Sequence, residues 1–173
     1  MRRCAINGLM LVVVLAAARI LAQPAAKPVH YSKLLPFLPA KVAGFIAEEP
    51  QHSTVTVMGV KLTEVWRGYR QNNAGTTGEV TVKVADGAQN PFFMAAYADA
   101  RQFAQEGLAG YQKGFTLDGC PAIEQYVAAT KEGSLHVLVA DRHLVEITVR
   151  GLDSASLQEW WKKIDVQKLA ALR

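Results

Sequence analysis

The chain has 173 residues, with 19 Lys and Arg against 15 Asp and Glu, a formal charge of +4 at neutral pH. Half of it is hydrophobic and it carries two cysteines. Such a length predicts one domain able to bury its own core, and so few cysteines exclude a disulfide-built scaffold.

The first predicted element is a targeting segment. Met1-Arg2-Arg3 places two positive charges before the apolar run Gly8 to Ala18, which Arg19 interrupts. A transmembrane helix needs about 20 apolar residues. This shorter run reads instead as the centre of a secretory signal peptide over residues 1–22, with cleavage after Ala22. The expectation is an exported protein, periplasmic or secreted, with no stable membrane span after cleavage. Losing Arg2, Arg3 and Arg19 leaves 16 basic against 15 acidic residues. A nearly neutral domain of interspersed signs argues against nucleic acid as a partner. Cys4 leaves with the signal, so Cys120 has no intramolecular partner and reads as a buried thiol, an intermolecular bridge or a reactive site, of which the buried thiol is the commonest.

Residues 23–30, rich in Pro and Ala, predict a flexible leader, and residues 31–173 a single domain. Leu34, Leu35, Phe37 and Leu38 form an apolar strap in which Pro36 and Pro39 forbid a long helix. Gly44-Phe45-Ile46 predicts a short edge strand ended by Pro50. Strands follow at Ser53 to Met58, at Lys61 to Tyr69 and, most clearly, at Glu79 to Ala85, where Val80, Val82 and Val84 alternate with polar residues. Gln71 to Gly78 reads as a loop.

From Pro91 the period changes. Phe93, Ala96, Tyr97, Ala100, Phe103, Ala104 and Leu108 recur at helical spacing and predict a long amphipathic helix ending near Gly107 or Gly110. Strands are predicted again at Tyr111 to Leu117, from Ile123 to Ala129, at Leu135 to Ala140 and at Leu144 to Arg150, with a turn at Asp118-Gly119. Leu157, Trp160, Trp161 and Ile164 make the stripe of a last helix, with Asp165 capping a further turn. The expected class is therefore α+β: a mainly antiparallel sheet, in strand-strand-strand-helix-strand-strand-strand-strand-helix order, with two principal helices packed on it. Together with the Leu-Leu-Pro…Gly-Phe opening and the closing Trp160-Trp161…Leu169-Ala170-Ala171-Leu172, this order resembles uncharacterised bacterial exported proteins with a PsbP-like α+β pattern. The resemblance implies a fold and a compartment, and transfers no functional residue.

Chemical motifs are sparse. His136 and His143 lie seven apart across a predicted hairpin with no third ligand nearby, which is not zinc-site spacing. Cys120 has no recognisable signature around it, and no Gly-x-Ser-x-Gly elbow is present. The sequence therefore assigns no catalytic residue, cofactor or metal. Trp160 and Trp161 share a stripe with core residues, and Trp66, Tyr69 or Phe92 around a concavity would point to ligand binding. The expected function is a non-enzymatic exported domain that binds a protein partner or small ligand in the cell envelope. The alternative is a small exported enzyme using Cys120 or a His/carboxylate pair.

Overall fold

The structure is a computed structural model, and it describes residues 27–57, 60–72, 77–88, 95, 97, 103–107 and 109–173. The predicted signal segment and residues 23–26 of the predicted leader lie outside the described residues. Among the described residues nine strands build one sheet: β1 (Phe45–Ala47), β2 (Gln51–Val57), β3 (Val60–Gln71), β4 (Glu79–Asp86), β5 (Ala104–Gly107), β6 (Gly110–Leu117), β7 (Cys120–Val127), β8 (Glu132–Val139) and β9 (His143–Arg150). All pairings are antiparallel, in the order β1-β3-β4-β9-β8-β7-β6-β5, with β2 also lying against β3. The strands β5 to β9 form a meander in chain order. The β6–β7 turn needs two left-handed residues, which Asp118 (φ 48°) and Gly119 (φ 82°) provide, as an Asp-Gly pair between strands predicts.

This architecture corrects the expected α+β class. Among the described residues the chain is mostly antiparallel sheet, and the helical elements with described bounds are small: 3-10 turns η1 (Tyr31–Lys33) and η2 (Leu35–Phe37), and α-helices α1 (Ala155–Trp161) and α2 (Val166–Ala171). Two misreadings account for the difference. The long helix was predicted to run through Ala104 to Gly107, yet those residues are β5, paired with β6 through Ala104↔Lys113 and Gln105↔Gln112. Ala, Gln, Glu and Gly are weak strand formers on their own, so tertiary pairing overrides local preference there. Of the remainder of that predicted helix, Ala95 and Tyr97 are helical and most of the other positions lie outside the described residues. The last helix is also shorter than its stripe. It stops at Trp161, and the amides of Lys163 and Ile164 bond back three residues, tightening the end of the helix.

The strand register sorts side chains onto two faces. On the first face Val65 and Tyr69, Val80, Val82 and Val84, Val145, Ile147 and Val149, and Leu135, Val137 and Val139 are all buried. Helix α1 lays Leu157, Trp160 and Trp161 on this face, Ile164 and Leu169 follow, and the strap adds Leu34, Phe37 and Leu38. Each fully buried Val or Leu contributes about 1.5–3 kcal/mol relative to exposure. Both terminal tryptophans are core residues. The Trp160 ring lies 4.5 Å from Tyr69 and 5.1 Å from Phe45, centroid to centroid. The Trp161 indole donates to Asp118 Oδ2 at 2.7 Å.

Close packing of helix on sheet also fixes Gly133. A Cβ there would stand 2.7 Å from the Tyr126 ring, 2.8 Å from the Gln125 carbonyl and 3.3 Å from Leu157. Gly133→Ala is expected to cost about 1–3 kcal/mol by overpacking, read as a lower urea midpoint at unchanged slope.

Residues 27–30, assigned above to the leader, are fastened to the sheet. Val29 is buried and its amide donates to Asp86 Oδ2 at 2.7 Å. The Lys27 carbonyl accepts from Arg142 Nη2 at 3.1 Å. Arg142 in turn holds Asp86 through Nε (3.0 Å) and Nη2 (2.8 Å), so one buried pair ties the N-terminal segment to the β8–β9 turn.

Candidate functional site

The second face of the sheet is where the sequence departs from core composition. Register pairs place Gln105, Gln112, Gln125, Ser134, Thr148 and Thr81 side by side on β5, β6, β7, β8, β9 and β4. Six neighbouring strands thus carry one transverse row of uncharged amides and hydroxyls. At about 4.8 Å per strand the row is about 24 Å long.

Rows two residues away differ in kind. On one side lie Ile123, His136, Glu146, Lys83 and Trp66, and beyond them the apolar Leu138, Leu144 and Ala85. On the other side Glu132, Arg150, Glu79 and Arg70 alternate in sign. The face therefore grades from apolar through mixed and neutral polar to charged. Tyr97 is buried near Glu146, and burial, with that carboxylate second, pushes its phenol up to about 12.

Two hollows open along the neutral row. The larger, about 560 Å³, is lined by Gln105, Gln112, Gln125, Ser134, Thr148 and Arg150 among others. The smaller, about 230 Å³, lies between Trp66, Glu64, Thr81, Lys83, Glu146 and the shared Thr148. Charge on this face is largely paired off within it. Lys83 Nζ sits 2.8 Å from Glu146 Oε2, and Arg150 Nε lies 3.7 Å from Glu132. His136 shares a 3.0 Å hydrogen bond with Ser134 Oγ through Nε2. Burial lowers its pKa, Glu146 opposes that shift, and Lys83 adds to it.

The residues weighed for catalysis and metal binding fall apart. His136 lies on the polar face and His143 on the core face, so no common ligand reaches both. Among the described residues no group of three or more His, Cys, Asp and Glu is arranged to hold a metal ion. Extending the β7–β8 register puts Cys120 beside Val139, whose partner is His143. Two strand spacings, about 9–10 Å, then separate thiol and imidazole. Burial, with Asp118 next, raises the Cys120 thiol above its ordinary range. That is the opposite of an activated thiolate. Cys120 in the folded protein is expected to react with a disulfide reagent at neutral pH more slowly than after denaturation, in the direction of its lower thiolate fraction. Equal rates would contradict the placement.

The buried carboxylate of the core face, Glu124, is fully engaged. Tyr111 Oη donates to it at 2.5 Å, Lys113 Nζ lies at 3.1 Å and Gln158 Nε2 donates at 3.2 Å. Tyr69 is a core residue whose hydroxyl donates to the Pro39 carbonyl at 2.8 Å, and burial pushes it up to about 12. Trp66 lies on the polar face, half-buried, and Phe92 is outside the described residues. Sequence reading missed the neutral row. Its members are separated by unequal stretches of chain, and only strand register brings them into line. Comparisons with protein-family models, curated proteins and solved structures found no match for this chain.

Proposed function

We propose that this chain is an exported, non-enzymatic binding domain of the cell envelope that holds its ligand or partner against the polar face of the sheet. One observation carries the reading: the neutral row and its two hollows lie on the face opposite the main core, joined at Thr148. A structural face would need only to be soluble. Interspersed charges achieve that, as they do one row away, whereas neutral hydrogen-bonding groups converging on a concave surface are the kind of group that orients a bound ligand. Export rests on the signal-like segment, and N-terminal sequencing of protein from the exported fraction is expected to begin at Gln23. An intact Met1 in that fraction would contradict cleavage.

Thr148→Trp fills the junction of the hollows and tests the binding surface. Fractionated small-molecule extracts of the envelope are expected to raise the melting temperature of the wild type and leave the variant unmoved. Stabilisation of both chains alike would place the site elsewhere, and no stabilisation of either would contradict the reading.

A second reading has a specific observation behind it. Ser134, His136 and Glu146 are neighbours, and the Ser134–His136 hydrogen bond is the contact a serine nucleophile and its base make. Against it, Glu146 is held by Lys83, and Ser134 is only 6% exposed. Hydrolysis of p-nitrophenyl acetate that Ser134→Ala abolishes would favour this reading; equal rates would reject it.

A further inference from the structure

We infer that the ligand of the polar face is a neutral glycan chain, laid across the strands along the row from Gln105 to Thr81 with one sugar against Trp66. The inference rests on the reading of this face as the binding surface and adds the ligand's chemical class.

Each alternative class meets a specific obstacle. Among the described residues an anionic ligand finds no unopposed cation on this face, because Lys83 is paired with Glu146 at 2.8 Å, Arg150 with Glu132 at 3.7 Å and Arg70 with Glu48 at 3.1 Å, and a cationic ligand finds single carboxylates such as Glu64 rather than a cluster. Anion sites built on arginine or lysine use charges left open to the ligand. An apolar ligand would strip water from the glutamine amides and from the Thr148 and Thr81 hydroxyls and return no hydrogen bonds. A peptide strand adds to a sheet at its edge, where backbone groups are open, and not on its face.

A neutral glycan answers all three obstacles. Each Gln side chain presents two donors and an acceptor, and each Ser or Thr hydroxyl presents both, which matches the hydroxyl groups around a sugar ring. The lateral spacing of strands, about 4.8 Å, is of the order of one ring along an extended chain. The five accessible side chains of the row, Ser134 being buried, then meet several consecutive sugars. Trp66 supplies the flat apolar surface that packs on the C–H side of a ring. It lines the smaller hollow, at the end of the row away from Gln105. The Ser134 hydroxyl is shared with His136, so its neighbours Gln125 and Thr148 are the more available contacts.

The test is a nuclear magnetic resonance titration of the protein purified from the exported fraction. The side-chain amide signals of Gln105, Gln112 and Gln125 and the indole signal of Trp66 report the row directly. Maltohexaose and hexa-N-acetylchitohexaose are the neutral probes; a heparin hexasaccharide, palmitate and a glycine-serine hexapeptide are the controls. At least one neutral hexasaccharide is expected to shift these four signals, with affinity lowered about tenfold in Gln125→Ala and in Trp66→Ala. Shifts of the same signals by heparin, palmitate or the peptide, without the neutral probes, would overturn the glycan class and leave the binding face standing. No shift by any probe would also overturn the inference. The binding face would then fall with it only if Thr148→Trp and the wild type also responded alike to the envelope extracts.

Discussion

Asp86→Ala is expected to destabilise the domain by about 3–5 kcal/mol, because it leaves a buried guanidinium without its counter-charge. Asp86 is completely buried and Arg142 is 6% exposed. Both carboxylate oxygens are used, Oδ1 by Ala88 N and Arg142 Nε, Oδ2 by Val29 N and Arg142 Nη2. One substitution therefore removes an ion pair, two amide acceptors and the anchor of residues 27–29. A domain of ordinary stability has only about 5–15 kcal/mol in all. Guanidinium unfolding at neutral pH measures the loss. Replacing both partners, Asp86→Leu with Arg142→Met, is expected to recover most of it, since the buried pair itself is near neutral against apolar groups. A single-variant loss below about 1 kcal/mol, the size of an exposed pair, would contradict the closed clamp. Burial pushes the Asp86 carboxyl up, but the bonds from Arg142, Val29 and Ala88 and the guanidinium charge together hold it below its ordinary value. Its folded pKa is depressed, so its contribution is complete above the unfolded value of about 3.9. It is lost as pH falls through the folded value.

His143 acts in a different pH window. Its ring is fully buried, pairs across the sheet with Asp86, and neither nitrogen has a hydrogen-bond partner among the described residues. Burial lowers its pKa from 6.5 to about 4, with Asp86 opposing the shift and Arg142 and Arg173 adding to it. The unfolded chain then binds a proton between pH 6.5 and 4 that the folded chain refuses. Stability from this group is full above 6.5 and falls by about 3 kcal/mol on acidification to pH 4. His143→Leu is expected to be neutral or stabilising at pH 7, because two unpaired polar atoms leave the core. It is also expected to remove most of the wild-type loss between pH 7 and 4.5. His136, shifted in the same direction, accounts for a residual slope. A variant with the full wild-type slope would show that His143 is not the group responsible.

What the sequence disclosed was local. Val80, Val82 and Val84 announce a strand with one buried face, and Asp118-Gly119 announces its tight turn, because both signals depend on neighbours two or fewer positions away. Asp165 caps α2 as its position suggests, accepting from the Lys168 amide at 3.1 Å. The strand β5 was illegible, since Ala104-Gln105-Glu106 favours helix and only the partnership with β6 makes it a strand. The clamp was illegible for a related reason. Asp86 and Arg142 are 56 residues apart, and each lies just past the end of a predicted strand. His143 falls between the predicted strands Leu135 to Ala140 and Leu144 to Arg150 and is instead buried at the start of β9. The neutral row fared likewise, as Gln and Thr scattered over six strands are ordinary surface composition until register aligns them. A candidate site spread over a sheet face leaves little trace in spacing along the chain.

The binding face is tested most directly by site-specific photo-crosslinking in the exported fraction. A photoreactive side chain at Gln125, in the larger hollow, is compared with one at Glu159, exposed on α1 on the opposite side of the sheet. Discrete adducts from position 125 and none from position 159 are the expected result. Adducts from position 159 alone, or equally from both, would contradict a ligand surface on the polar face.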